Sequence, residues 1–303
     1  MGFIDLSGAL GRQFGSIGLA LNEIYTQLII KRSDQFKVIG NSAARAEQCA
    51  ESICSKLDLP KTFQIEVAAA IPEHVGLGSG TQMALAVGLA LNGFYGLGLE
   101  IREIAALTAR GRRSGIGIGV FEQGGLVVDG GRGEKTIIPP VISQLKIPEN
   151  WRFILVFDRR GQGLHGEQEV SAFKKLPTFS QQEAARLCYL LMMQGLPAVV
   201  EKDINSFGDV ISQLQQSVGE HFAPVQGGVF TSSEVDQAMQ WLKEKGVVAI
   251  GQTSWGPTGF CAVDDPAQAE LLKEGLEQQF FGSENLHFMV ASARNCGGEV
   301  IAG

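Results

Sequence analysis

The sequence predicts an α+β protein of two domains. Three observations carry that prediction: a length of 303 residues, mostly antiparallel strand patterns grouped beside helices, and a proline-containing connection near the midpoint. At roughly 100–200 residues per domain the length suits two cores rather than one. Pro139, Pro140 and Pro148 mark the connection, which divides the chain into an N-terminal domain over residues 1–148 and a C-terminal domain over residues 149–303. The strand order does not alternate regularly with helices, so two α+β layers are expected in place of a doubly wound sheet.

The elements follow in order. Residues Leu19 to Leu28 read as extended chain with a bend near Asn22, and Phe36 to Ile39 as a short strand. The alanine-rich NSAARAEQCAESICSKL predicts a helix from Asn41 or Ser42 as N-cap to Leu57, ended by Pro60. TFQIEVAA alternates as a strand over Thr62 to Ala69 and feeds a glycine-rich loop, after which a helix starts near Thr81. Leu99 to Ala109 reads as a further helix, and GVFEQGGLVVDGG as a hairpin. Beyond the connection, Trp151 to Phe157 is a strand, followed by helices near Ser180 to Gln194, Ala198 to Gln216 and Ser233 to Lys245. The tail alternates: strands at Val247 to Ile250, Phe260 to Val263 and Leu286 to Val290, with a helix over Ala267 to Gln279 opened by Asp264, Asp265 and Pro266.

Composition excludes several classes of function. A formal charge of −7 without a long basic run argues against a nucleic-acid surface. No apolar stretch of about 18 residues and no secretory leader pattern stand out, so a cytoplasmic protein with no membrane partner is expected. The five cysteines and four histidines are scattered without metal-ligand spacing, which points to buried reduced thiols and against a transition-metal site.

The chemistry concentrates in the loop HVGLGSGTQ. Gly76, Gly78 and Gly80 permit left-handed backbone and close approach to a ligand, and the loop runs into a helix whose first amides lack partners. The helix dipole makes that place attractive to phosphate, and Ser79 and Thr81 add hydroxyls for phosphate oxygens or magnesium. The P-loop lysine is missing and the dinucleotide spacing is off by one, so from spacing alone a turn capping a buried helix is also open. A second cluster, GRRSGIGIGVFEQGGLVVDGG, places Arg110, Arg112 and Arg113 before Glu122 and Asp129: arginines for phosphate, carboxylates for magnesium. A third, DRRGQGLHGEQE, carries Arg159, Arg160, His165 and Glu167 after a strand. GQTSWGPTGF, with Ser254 and Trp255, and SARNCGGE complete the set.

Together these segments resemble the GHMP superfamily, named for galactokinase, homoserine kinase, mevalonate kinase and phosphomevalonate kinase. Its motif P-x-x-x-G-L-G-S-[SG] matches Pro72, Gly76, Leu77, Gly78, Ser79 and Gly80. Within it, GFIDLSGALGRQFGSIGLAL, HVGLGSGTQ, RRSGIGIGVFEQGGLVVDGG, GQTSWGPTGF and RNCGGE look most like the β-ribofuranosylaminobenzene 5′-phosphate synthase family of tetrahydromethanopterin biosynthesis. The resemblance implies a phosphate-loop domain followed by a ferredoxin-like α/β sandwich. It also implies a magnesium-dependent transfer of phosphoribosyl from phosphoribosyl diphosphate to 4-aminobenzoate or its 4-hydroxy relative, with loss of carbon dioxide and diphosphate. Relatives suggest a homodimer. Several GHMP kinases carry S-G-x-D with an aspartate acting on the substrate hydroxyl; here Ser114, Gly115 and Ile116 are followed by Gly117, which weakens the alternative of an ATP-dependent small-molecule kinase. A non-catalytic ligand-sensing protein of this fold is the other alternative. Related chains usually have another strand before the position of Met1, so the first sheet is expected to lack an edge strand or a substrate contact.

The mechanism expected of such an enzyme assigns roles by residue. Gly76, Gly78, Ser79, Gly80 and Thr81 cradle the diphosphate, with magnesium near Ser79 and Glu122. Arg12, Arg113 and Arg159 are candidates for the ribose phosphate or the benzoate carboxylate, and Ser254 joins them. Asp5 and Ser7 orient the ribose or the para substituent, and His165 accepts its proton.

Overall fold

The computed structural model describes residues 1–160, 175–254 and 256–301. Two four-stranded antiparallel sheets and one three-stranded sheet are joined by helices. The first sheet runs in the order β1 (Gly2–Asp5), β2 (Gly15–Leu19), β6 (Leu126–Asp129), β7 (Val141–Leu145). A smaller sheet places β5 (Phe63–Ala69) between β3 (Gln27–Arg32), antiparallel to it, and β4 (Lys37–Gly40), parallel to it. The parallel pair requires a crossover, which helix α1 (Ala43–Leu57) supplies. Period-two alternation in β5 buries Phe63, Ile65 and Val67 beneath α1 and α2 (Ser79–Tyr95). Helix α2 is apolar on two sides for a reason: Met83, Ala84, Val87 and Leu91 face α1 and β5, and Leu85 packs with Ile104 and Ala105 of α3 (Ile101–Leu107) and Ile118 of α4 (Ile116–Gln123).

The second sheet runs β11 (Leu286–Ser292), β8 (Arg152–Asp158), β10 (Gly259–Val263), β9 (Val248–Gln252). Both faces of β8 are buried. Ile154 and Val156 pack against α8 (Ser233–Glu244) and α9 (Pro266–Gln279). Phe153, Leu155 and Phe157 face the opposite way, toward α5 (Gln181–Leu190), α6 (Leu196–Glu201) and α7 (Ile204–Gln226). That second cluster also contains Phe3, Ile4, Ile17, Leu126 and Val128 of the first sheet. One continuous apolar core therefore joins the two halves of the chain.

Several elements differ from expectation. GVFEQGGLVVDGG is not a hairpin: its first part is α4, and Gly124 and Gly125, both at φ +69, turn the chain into β6. A helix fits because Gly119 lies so close to Val127 and Val141 that an added Cβ would sit 2.8 Å from each. The proline connection contains β7, paired to β6. The extended run after Leu19 breaks because Ala20 to Asn22 leave the first sheet to bridge the tail, with the Asn22 amide donating to the Ser292 carbonyl at 3.0 Å. The helix expected over Ala198 to Gln216 is split at Lys202, which is left-handed at φ 62, and restarts where Asp203 accepts the amides of Asn205 and Ser206. Cys49, Cys54 and Cys261 are buried thiols as expected, whereas Cys188 and Cys296 are exposed.

Candidate functional site

The glycine loop stands at the rim of a cavity of about 920 Å³. Both sequence halves line it: β2, the loop, the start of α4, Phe153, Leu155 and Phe260 of the second sheet, and the tail from Arg294 to Glu299. Gly76 and Gly78 take φ +76 and +73, conformations that favour glycine. The Gly78 carbonyl accepts the amides of Thr81 and Gln82, so α2 itself gives no partner to the amides of Ser79 and Gly80, which precede its first full turn.

The loop is buttressed from the other half of the chain. Buried Thr253 and Thr258 both donate hydroxyl hydrogen bonds to the Val75 carbonyl, each at 2.9 Å. A Cβ on Gly76 would fall 2.3 Å from Thr253 Oγ1 and 3.1 Å from Gly256 Cα. GQTSWGPTGF is thus the wall against which the glycine loop is set.

Positive charge arrives from helix α1 and from the loop after α3. A Cβ on Gly80 would lie 3.2 Å from Arg45 Nη1 and 3.4 Å from Arg110 Nη1, so both guanidinium groups flank the first turn of α2. Arg45 is paired with Glu73 at 2.9 Å. Arg110 lines the cavity and has no ion pair among the described residues, and its Nε is buried without a hydrogen-bond partner. The thiol of Cys49 senses both: burial pushes it up, and Arg110 and Arg45 oppose that rise. Arginines beside helix-start amides suit an anion.

Away from the loop the wall becomes apolar, with Phe3, Ile17, Leu19, Phe153, Leu155 and Phe260. Set into it are the hydroxyls of Ser16 and Ser114, which line the cavity and bind the fully buried carboxylate of Asp129. Burial pushes that carboxyl above the usual range, against hydrogen bonds from Ser16, the Gly131 amide, Ser114 and the Gly115 amide.

The structure brings together only part of the predicted set. Gly76, Gly78, Thr81, Arg113 and Ser254 line the cavity, with Ser79 and Gly80 on the adjoining turn. Asp5 and Ser7 bind each other instead of the cavity: Asp5 Oδ1 accepts the Ser7 amide and hydroxyl, each at 2.7 Å. Arg12 donates to the carbonyls of Gly130 and Gly131, pinning the loop after β6. Arg159 is exposed beyond β8, its amide donating to the Asn285 carbonyl. Glu122 pairs with Arg102 at 3.4 Å and lines a separate depression with Glu100 and Gln144, so it does not share the lining of the glycine-loop cavity with Ser79's neighbours, as the expected magnesium role requires. Asp129, read as a carboxylate for magnesium, is enclosed by hydroxyl and amide donors. His165, Glu167 and Trp255 lie outside the described residues. Sequence reasoning missed Arg45, Thr253 and Thr258; only the basic run containing Arg110 carried a signal.

Comparison with known proteins places these features in context. A model of the GHMP kinases N terminal domain matches residues 41–124, and one of the GHMP kinases C terminal domain matches residues 196–282. The chain is 35% identical to a β-ribofuranosylphenol 5′-phosphate synthase of Archaeoglobus fulgidus, over 98% of this chain and 95% of that one. A protein of the same name from Methanocaldococcus jannaschii is 33% identical, covering 87% of each chain. Among solved structures, a putative homoserine kinase from Listeria monocytogenes superposes with a TM-score of 0.68 at 17% identity, covering 95% of this chain and 93% of that one. A mevalonate diphosphate decarboxylase from Staphylococcus aureus does so with 0.65 at 16%, covering 95% and 89%.

Proposed function

The chain belongs to the GHMP family by both its halves and, within it, to the β-ribofuranosylphenol 5′-phosphate synthases, and on that premise we propose that it is a phosphoribosyl-transferring enzyme. In this reading phosphoribosyl diphosphate gives up its ribosyl group to the ring carbon of a 4-substituted benzoate, releasing diphosphate and carbon dioxide. The relatives are named for a phenol, which supports 4-hydroxybenzoate as acceptor over 4-aminobenzoate. The single observation that carries the reading is the cavity itself, in which an arginine-flanked helix start opens onto an apolar wall wide enough for an aromatic ring.

The roles follow from position. Amides of Ser79 and Gly80, with Arg45 and Arg110, bind the diphosphate and stabilise the charge that grows as the anomeric C–O bond breaks. The apolar wall of Ile17, Phe153, Leu155 and Phe260 holds the ring and excludes water from the ribosyl centre. The ring carbon bearing the carboxylate supplies the electron pair of the new C–C bond, and the pair of the breaking C–CO₂ bond returns to the ring. Arg113 and Arg112, on the same lining, suit the ribose phosphate or the benzoate carboxylate.

Magnesium, when bound with diphosphate, adds Lewis-acid charge neutralisation. The hydroxyls of Ser79 and Thr81 fit it as hard oxygen donors; among the described residues no cluster of three acidic, histidine or cysteine groups is present, so the diphosphate oxygens would complete the shell. No described helix is long and apolar enough to cross a membrane, which is compatible with a cytoplasmic enzyme, and a homodimer remains part of the proposal.

A product assay tests the reading. With phosphoribosyl diphosphate and 4-hydroxybenzoate, stoichiometric diphosphate and carbon dioxide without ATP are expected; ADP formed from ATP and a small alcohol, with no carbon dioxide, sinks it in favour of a kinase.

A further inference from the structure

Ser16, Ser114 and Asp129 form a triangle of oxygens in the cavity wall. Ser16 Oγ and Ser114 Oγ are 2.7 Å apart, and they lie 2.6 and 2.9 Å from the same carboxylate oxygen, Asp129 Oδ2. Three short oxygen–oxygen edges call for three protons, but two hydroxyls supply only two. With the carboxylate ionised and both hydroxyls donating to it, the edge between the serines has no proton and two lone pairs face each other. Adding one proton fills all three edges in a cycle.

The surroundings favour keeping that proton. Asp129 is fully buried, and its remaining contacts are backbone amides: Gly115 donates to Oδ2 and Gly131 to Oδ1, each at 2.8 Å. Among the described residues, no charged side chain stands among the groups that shift its carboxyl. On the elements packed around it, Arg12 is committed to the Gly130 and Gly131 carbonyls, and Arg113 precedes Ser114. β2 and β7 present no charged group to it. Burial raises its proton affinity, and among the described residues no cation opposes this.

The triangle stands beside the anion site. Ser114 begins the turn into α4, Gln82 of α2 donates to the Gly117 carbonyl at 2.7 Å, and both serines line the cavity. We propose that the Ser16–Ser114–Asp129 triangle is a proton reservoir for the acceptor substrate, with Asp129 acting through the two serines as a positioning residue. The inference rests on the phosphoribosyl-transfer reading. The acceptor binds with its para oxygen ionised, its proton having gone to water, and the electron pair of that oxygen pushes into the ring as the new C–C bond forms and the anomeric C–O bond to diphosphate breaks. When the C–CO₂ bond breaks and its electron pair restores aromaticity, a serine hydroxyl gives its proton to the para oxygen, the Asp129 carboxyl proton replaces it, and water returns one proton to the triangle after the phenol leaves. Protons balance over the cycle, and no oxidant or metal is needed for this step.

The test uses the full chain with D129N, S114A and S114T. For wild type, infrared difference spectra at neutral pH should contain a protonated-carboxyl band that D129N lacks. In D129N and S114A, kcat should fall by about 100-fold or more, the range of general acid–base catalysis, with the Kd for phosphoribosyl diphosphate unchanged and the pH dependence of kcat altered. S114T, which keeps a hydroxyl, should recover most of the rate. If D129N does not fold, S114A carries the test, since it leaves Asp129 and its amide donors in place. Either no protonated-carboxyl band in wild type, or kcat and pH profile preserved in S114A, overturns the proposal. A wild type that releases neither diphosphate nor carbon dioxide fails the phosphoribosyl-transfer reading itself, which separates the two.

Discussion

Gly76→Ala and Gly78→Ala form a matched pair that separates the buttressing of the glycine loop from its proposed ligand contacts. Both glycines are left-handed, at φ +76 and +73, so each alanine carries a conformational penalty of about 1–2 kcal/mol, offset by about 0.4–1 kcal/mol from a less flexible unfolded chain. Their surroundings differ. The Gly78 methyl meets nothing within 4 Å, whereas the Gly76 methyl falls 2.3 Å from Thr253 Oγ1 and 2.8 Å from Thr253 Cβ. Relieving that overlap costs about 1–3 kcal/mol, and displacing Thr253 from the Val75 carbonyl forfeits about 1 kcal/mol more. Gly76→Ala should therefore be less stable than Gly78→Ala by about 2–4 kcal/mol, a gap of several degrees in Tm. Gly78 lines the cavity, so its alanine should weaken phosphoribosyl diphosphate binding with little loss of stability. Urea denaturation and calorimetric titration of both variants measure this. Equal stabilities would refute the buttress.

Other consequences are open to measurement. Arg110→Gln removes a charge flanking the first turn of α2; loss of a charged hydrogen bond worth about 1.5–3 kcal/mol should raise the Kd for diphosphate roughly tenfold to a hundredfold in titration calorimetry, and an unchanged Kd would remove Arg110 from the anion site. Thr258→Val keeps the shape of a fully buried side chain but deletes its bond to the Val75 carbonyl, so urea denaturation should register a loss of about 1 kcal/mol. Asp158 gives a pH signature: burial raises its carboxyl, but bonds from Arg160 and Ser232 outweigh this and hold it at about 2, against an ordinary 3.8. A carboxyl lowered on folding stabilises above the ordinary value and loses that contribution as pH falls toward the folded one. Asp158→Asn should thus cost about 2 kcal/mol at neutral pH, and its gap to wild type should close between about pH 4 and 2; a gap independent of pH would contradict the assignment.

What the sequence disclosed and what it hid follow from range. The glycine loop, β5 and α9 with its Asp265 cap are local patterns: Asp265 Oδ1 accepts the Ala267 amide at 2.8 Å, as an N-cap should. α4 was misread because IGIGVFEQ is poor in helix formers, and the helix is justified only by Gly119 fitting against Val127 and Val141. Glu122 shows how sequence adjacency misleads on a helix: its neighbour Phe121 lines the main cavity, but one residue later the side chain has rotated away and meets Arg102. Arg45 sits on α1 with no motif around it, and it reaches Gly80 only through the packing of α1 on α2. Thr253 and Thr258 are ordinary turn residues until the second half of the chain folds over the loop. The Asp129 triangle draws on three separate segments, so no linear spacing reveals it.

The most direct test of the proposed activity is the wild-type product balance. Incubated with magnesium, phosphoribosyl diphosphate and carboxyl-labelled 4-hydroxybenzoate, the chain is expected to release labelled carbon dioxide and diphosphate in equal amounts, with no ATP present. Diphosphate release without labelled carbon dioxide, or turnover only with ATP and formation of ADP, would contradict it.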